Sequence, residues 1–334
     1  PMIRVDGELR ETDWETALNH AANAIKAGKS ADSLAVLASA NSTLEELYLA
    51  QKLGRAMGSN HIDHRLAHTD FSGDDTAPVM PWLGMGFDAL ETLDSALLVG
   101  SNIRKDQPIA AIRIRKSALK GAAISFLNPR DFPLHFDAAD NLVCRYDHMS
   151  HELLAIAQAC KADLSGFSNL PANIDVTDTH RRIADSLQQG DASALFLGNI
   201  AAQHPAANEL RMIAAAIARA TSSTLAMLPD RANSCGAWLA GMVPHRKAGG
   251  AGLKNRGKTA AELLLTSLDV YWTVGVEPEF DAANPALASL TLAAANDWIS
   301  VSAFMSGSVK SHASVVLPMS TFTESFGTWV NAAG

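Results

Sequence analysis

The chain has 334 residues, 48% hydrophobic and 19% charged, so it can bury a large core and falls outside the disordered class. That length leaves room for about two or three domains of roughly 100–200 residues. Twenty-seven basic against 35 acidic side chains give a formal charge of −8. This excludes a general binder of nucleic acid or anionic membrane, which needs clustered positive charge to neutralise phosphates.

No run reaches the roughly 20 apolar residues of a membrane helix, since even Met212 to Leu228 is interrupted by Arg219 and a Thr/Ser cluster. Direct membrane insertion is therefore not expected. The chain begins at Pro1 without a basic-then-apolar leader and reads as a part of a longer polypeptide. Cys144, Cys160 and Cys235 are widely spaced, so neither a disulfide framework nor a cluster-binding run assembles from them, and reduced thiols are expected.

In chain order, Trp14, Ala17, Leu18, Ala21 and Ile25 fall at helical spacing behind a capping box of Thr12 and Glu15, and Gly28 ends that helix. The apolar run Leu34 to Ala38 reads as a strand. A second capping box, Ser42 with Glu45, opens a helix whose Leu49, Leu53, Ala56 and Met57 share a face. The unit returns at Ala96 to Gly100, followed by a helix from Pro108 with Ile109 and Ile112 inward and Arg113 and Lys116 outward, then the strand Ala122 to Leu127.

It returns again at Ala194 to Leu197, with Leu210, Ile213, Ala214 and Ile217 on one helical face, then Thr224 to Leu228. Val270 to Val274, Ile299 to Val301 and Val315 to Leu317 complete the strands. Continuous apolar strands alternating with amphipathic helices predict an α/β, doubly wound fold with mostly parallel sheets. The stretches Leu66 to Leu93 and Ser165 to Thr179 break the rhythm, as boundaries or long loops do.

Gly252 to Thr259 fits the phosphate-cradling P-loop pattern residue by residue, but the upstream Pro244 to Gly250 is too polar for the buried strand such a loop requires. A nucleotide-binding module on Lys258 and Thr259 is thus a minor alternative. His61, His64 and His68, with Asp63 and Asp70, carry metal-ligating atoms in a short polar stretch, where local hydrogen bonding is the commoner use; no metal site is expected. Cys160 shares a helical face with Leu153, Ile156 and Ala157 and reads as a small buried hydrophobe. No G-x-S-x-G elbow occurs, and no catalytic residue is assigned.

Three turns leave the carboxyl ends of predicted strands, where open α/β sheets place ligands: Gly100-Ser101-Asn102, Asn128-Pro129-Arg130 and Gly275-Val276-Glu277-Pro278. Ordinary turn chemistry uses the same residue types.

Together with Val315 to Pro318, Thr323-Glu324, Gly327-Thr328, Val330-Asn331 and Gly334, these turns resemble the molybdopterin oxidoreductase superfamily, which includes formate dehydrogenases. Pro1 to Arg4, Trp14-Glu15 and Asn60 to Arg65 are most similar to one branch of it, the large iron–sulfur subunit of respiratory complex I, the NADH:quinone oxidoreductase. The resemblance implies that Gly100, Ser101, Asn102, Pro129, Arg130, Gly275, Glu277 and Pro278 line vestigial grooves for pterin dinucleotides.

The metal ligand of working relatives belongs in the region of His64 to Asp70, which holds no cysteine. The branch therefore implies a chain with no cofactor of its own, supporting an iron–sulfur subunit whose clusters precede it. Its partners would be other peripheral-arm subunits, in the cytoplasm and peripheral to the inner membrane. The alternative is an active molybdopterin-dependent oxidoreductase of the formate dehydrogenase or nitrate reductase type, with Asp63 or Asp70 on the metal or with no protein ligand. The superfamily's topology implies a discontinuous lobe, residues 1–68 plus 168–334, with a second α/β lobe inserted at 69–167.

Overall fold

Two separate sheets organise the computed structural model, which describes residues 1–28, 30–167, 171 and 173–334. Part of the break at Ser165 to Thr179, residues 168–170 and 172, lies outside the described residues. The chain divides into two compact units, Pro1–Met80 with Arg231–Asn331, and Pro81–Asp230 with Ala332–Gly334.

The first unit opens with β1 (Met2–Val5) and β2 (Glu8–Glu11), then α1 (Trp14–Ala27), β3 (Leu34–Ala38), α2 (Leu44–Ala56) and β4 (Ile62–Asp63). The second unit holds β5 (Ser95–Val99), α3 (Ile103–Asp106), α4 (Pro108–Leu119), β6 (Ala123–Asn128), β7 (Asp140–Val143), α5 (Met149–Ala159) and α6 (Asp178–Gln189). It continues with β8 (Ser193–Leu197), α7 (Asn199–Ala202), α8 (Ala207–Thr221) and β9 (Thr224–Met227). The chain then returns to the first unit for α9 (Ser234–Ala240), α10 (Ala260–Leu265), β10 (Val270–Val274) and α11 (Pro278–Asp281). The last elements are α12 (Pro285–Ala293), β11 (Asp297–Ser302), α13 (Gly307–His312) and β12 (Val315–Pro318).

The first sheet runs β2-β1-β12-β11-β10-β3-β4; β1 pairs antiparallel with both β2 and β12, and the remaining pairs are parallel. The β1–β2 hairpin turns on Asp6-Gly7, whose φ values of 53° and 84° are what a two-residue hairpin turn requires. The second sheet, β7-β6-β5-β8-β9, is parallel throughout. Strand order reverses between β3 and β10 in the first sheet and between β5 and β8 in the second, and such switch points leave a crevice at the strands' carboxyl ends. The mixed α/β class with parallel sheets is as predicted. The expected insertion at 69–167 ends too early, because β8 and β9 pair in the second sheet.

The helix faces correct the sequence reading in two places. Trp14 and Leu18, expected inward, are about half exposed, and Ile109 and Ile112 are 58% and 56% exposed. The surfaces actually buried are Ala17, Ala21 and Ala24 on α1, and Ala110, Ile114 and Ser117 on α4. Small side chains let these helices lie close to their sheets; on α2 a Cβ at Gly54 would stand 2.9 Å from Val36 Cγ2. Both caps also shift by one residue: Asp13 accepts the Thr16 N–H, and Thr43 with Glu46 makes the box at α2. On α8 the expected face is fully buried, each Leu or Ile there contributing roughly 1.5–3 kcal/mol.

Candidate functional site

At the β3/β10 switch point the first unit holds an open pocket of about 870 Å³. Its walls come from the residues that follow four neighbouring parallel strands: Ser39 to Thr43 after β3, Gly275 and Glu277 after β10, Ser302 to Phe304 at β11, and Met319 onward after β12. The size suits a small-molecule ligand. Gly275 has φ of 66°, and a Cβ there would approach Ser42 Oγ to 3.1 Å. Ser42 is buried, and its hydroxyl has no hydrogen-bond partner among the described residues.

The charged lining residues are all acidic: Glu46, Glu277 and Asp281. Glu46 accepts the Thr43 N–H at 2.8 Å as part of the α2 cap. Asp281 accepts the Glu277 N–H at 2.9 Å and stands 3.6 Å from Arg231. Burial, with Asp281 and Glu279 nearby, raises the Glu277 carboxyl above its ordinary range.

The terminal motif builds one wall of this pocket. Thr328 donates its N–H and its hydroxyl to Glu45, at 2.9 and 2.8 Å. Gly327 lies so close that a Cβ would stand 2.4 Å from Thr43 Cγ2. Asn233, fully buried, donates to the Ser42 and Thr328 carbonyls at 2.8 and 3.2 Å and accepts the Val330 N–H at 2.8 Å. Sequence reading singled out Gly275 and Glu277 but passed over Ser42 as a cap and missed Asn233 and Trp329, which nothing in local periodicity distinguishes. Pro278 is buried at the first position of α11 rather than in the pocket wall.

In the second unit, the Gly100-Ser101-Asn102 turn meets the Asn128 turn: Asn128 Oδ1 accepts the Ser101 N–H at 2.8 Å, and Asn128 Nδ2 donates to the Ser101 carbonyl at 3.2 Å. The Gly100 carbonyl accepts the N–H groups of Ile200 and Ala201 at 2.9 and 3.3 Å. The Gly100 and Gly198 turns touch without room for side chains, since a Cβ at Gly198 would stand 2.5 Å from the Gly100 carbonyl oxygen. Pro129 is half-buried and Arg130 exposed, its guanidinium 5.5 Å from the Phe132 ring centre.

The histidine and P-loop-like segments pack together inside the first unit. Arg65 is buried between Asp63 and Asp74, and Asp63 also accepts the Ala260 N–H at 2.9 Å. Burial pushes the Asp63 carboxyl up, but the Arg65 guanidinium outweighs it and holds the pKa below the ordinary value. No strand directly precedes Gly252 among the described residues, the Gly257 N–H goes to the Pro244 carbonyl, the Lys258 N–H to His61 Nδ1 and the Thr259 N–H to Glu262. Three of the N–H groups a phosphate would use are thus committed within the protein, which speaks against the nucleotide-module alternative.

Residues 1–334 match the profile of the molybdopterin oxidoreductase family. The chain belongs to the molybdopterin oxidoreductase family. A segment of 134 residues, 39% of the chain, is 33% identical to the F420-dependent formate dehydrogenase subunit alpha of Methanocaldococcus jannaschii, and 126 residues, 35% of the chain, are 32% identical to a candidate formate dehydrogenase of Staphylococcus aureus. These matches span 20% and 13% of the relatives' own lengths.

Two solved structures share the fold. One is a chain of the formyltransferase/hydrolase complex of Methylorubrum extorquens, with TM-score 0.64 and 15% identity over 97% of this chain and 88% of that one. The other is acetylene hydratase from Pelobacter acetylenicus, with TM-score 0.57 and 12% identity over 95% of this chain and 54% of that one.

Membership of the molybdopterin oxidoreductase family corrects the expectation of a chain without its own cofactor: a full-length match and formate dehydrogenase relatives point to a molybdopterin-type group. The orphaned Ser42 hydroxyl and the side-chain-free approach at Gly275 fit the heterocyclic end of such a group. No helix among the described residues is long and apolar enough to cross a membrane.

Proposed function

We propose that this chain is the cofactor-holding part of a molybdopterin-dependent oxidoreductase of the formate dehydrogenase type. The open pocket at the β3/β10 switch point, with its unpartnered Ser42 hydroxyl, carries the reading, and the formate dehydrogenase relatives support it. Ser42, Gly275 and Glu277 would hold the cofactor's heterocyclic end, while Phe304, Phe322 and Trp329 supply apolar surface to the pocket walls. When bound, the group supplies two-electron redox chemistry at its metal. Of the two ligands considered from sequence, Asp63 is committed to Arg65 and the Ala260 N–H, and Asp70 accepts the Ser72 N–H and hydroxyl, so no side-chain ligand is assigned from them.

A place in the large iron–sulfur subunit of respiratory complex I rests on the sequence resemblance alone, and the matched relatives support it less. The test is to denature the intact protein purified from its native host, record the fluorescence of released pterin and measure molybdenum and tungsten. Pterin and metal near one equivalent per chain are expected, together with formate oxidation by an artificial electron acceptor. Absence of both pterin and metal overturns the reading.

A further inference from the structure

Helix α4 of the second unit carries large aliphatic side chains that its own sheet does not use. It packs down through Ala110, Ile114 and Ser117, while Ile109, Ile112 and Leu119 are each more than half exposed. At about 100° per residue, Ile112 and Leu119 stand two turns apart on the side opposite the buried one, and Ile109 lies one turn before Ile112. The three make one outward stripe about 15 Å long at about 1.5 Å per residue. Cations border it: Arg115, Lys116 and Lys120 are exposed and Arg113 is half-buried. No acidic residue occurs between Gln107 and Arg130, in a chain whose formal charge is −8. Among the described residues, the carboxylate paired with these cations is Glu91, 2.6 Å from Arg113 and 2.9 Å from Lys116. Arg115 donates to the His135 carbonyl at 2.9 Å and Lys120 to the Glu91 carbonyl at 3.0 Å, contacts that hold the side chains in place without cancelling their charge. An apolar stripe with a charged rim is the build of an interaction surface.

We propose that the outer face of α4 docks a separate protein whose surface presents an apolar ridge bordered by Asp and Glu, most simply an acidic amphipathic helix. Its apolar anchors would meet Ile109, Ile112 and Leu119, and its carboxylates would meet the cations on either side. Charge selects this occupant over the others. A second copy meeting the stripe face to face would bring two cationic borders together, which is repulsive. An anionic lipid surface would repel a chain that carries −8 in total, and α4 has no Trp or Tyr to seat at the level of lipid headgroups.

The full chain is titrated by fluorescence anisotropy with two labelled helical peptides about 18 residues long, both with Leu at i, i+3 and i+7, one with Glu and the other with Lys at the flanking positions. The Glu peptide is expected to bind about tenfold tighter than the Lys peptide at low salt, and the gap should narrow as salt screens the rim. Ile112→Gln combined with Leu119→Gln should weaken the Glu peptide about tenfold, because the apolar anchors lose their seat. Arg115→Glu combined with Lys120→Glu should erase the preference between the peptides. Circular dichroism checks the fold of both variants. In intact cells of the native host, a carbodiimide should join Lys116 or Lys120 to a carboxylate of a different protein, in a peptide where Asp or Glu flank large apolar residues.

Equal affinity for the two peptides, no binding of the Glu peptide, or an affinity that either pair of substitutions leaves unchanged overturns the proposal. Vesicles of equal phosphatidylcholine and phosphatidylglycerol that bind the chain more tightly than the Glu peptide does would make the face a membrane contact and overturn it too. Cross-links from Lys116 and Lys120 that reach only another copy or the same polypeptide, or no cross-link at all, have the same consequence. None of these outcomes bears on whether the protein holds pterin and metal.

Discussion

Arg65 joins Asp63 to Asp74, with its Nε 2.9 Å from one carboxylate and a terminal nitrogen 2.5 Å from the other. Its guanidinium also stacks near Phe71 and Trp238, 4.7 and 5.0 Å from the ring centres. Desolvating three charges is tolerable only while all of them are paired. Arg65→Met removes the salt bridge of Asp63 and leaves Asp74 with only Arg256 as a guanidinium partner, and should cost about 3–5 kcal/mol in urea unfolding. Adding Asp63→Asn and Asp74→Asn to that variant should recover most of the loss. If Arg65→Met alone unfolds at the wild-type urea concentration, the network is not what holds this region.

His245 lies 3.3 Å from Asp74 in the same cluster and is 7% exposed. Burial outweighs the pull of Asp74 and, helped by Arg65 and Arg246, holds its pKa down to about 4 from 6.5. Between those values the unfolded chain takes up a proton that the folded chain refuses. Stability is therefore full above about pH 6.5 and falls as the pH drops through about 4. Urea midpoints measured from neutral to acid pH should decline over that window. His245→Asn should flatten the decline, whatever its effect at neutral pH.

Glu277 shifts in the opposite sense for stability. Its folded carboxyl is harder to ionise than in the unfolded chain, so stability is greatest when it is protonated and is lost as the pH rises through the raised folded value. Glu277→Gln should accordingly raise the unfolding free energy at neutral pH, by less than about 1 kcal/mol because the side chain is partly solvated. At acid pH the gain should vanish.

Strands were the legible part of this fold, because parallel strands buried on both faces are nearly continuous apolar runs such as Leu34 to Ala38 and Val270 to Val274. Helix faces were not, because α1 and α4 reach their sheets largely through small residues and turn Trp14, Leu18, Ile109 and Ile112 outward. The lobe boundary escaped for a related reason: an apolar run such as Ser193 to Leu197 does not say which sheet it joins. Of the pocket, the turn Gly275 to Glu277 was visible as a strand-end loop. The contacts of Asn233 with Ser42 and Thr328 unite three distant segments, and no local pattern encodes them.

The P-loop-like run makes its own forecast at two glycines. A Cβ at Gly257 would stand 1.7 Å from the Asn60 carbonyl oxygen, a backbone atom that cannot swing aside, whereas at Gly252 nothing lies within 4 Å. Gly257→Ala should therefore cost about 3 kcal/mol or more, while Gly252→Ala should stay within about 0.5 kcal/mol of the parent. Lys258→Ala should also be mild, since the contact its ammonium makes with Thr266 is 3.4 Å long and the Lys258 N–H to His61 survives the change. A nucleotide-cradling loop predicts the reverse ranking in an ATP titration, with Gly252 and Lys258 indispensable to binding. Calorimetry with ATP should give no heat for the parent or any variant, and a micromolar isotherm lost in Lys258→Ala would restore the nucleotide-binding alternative.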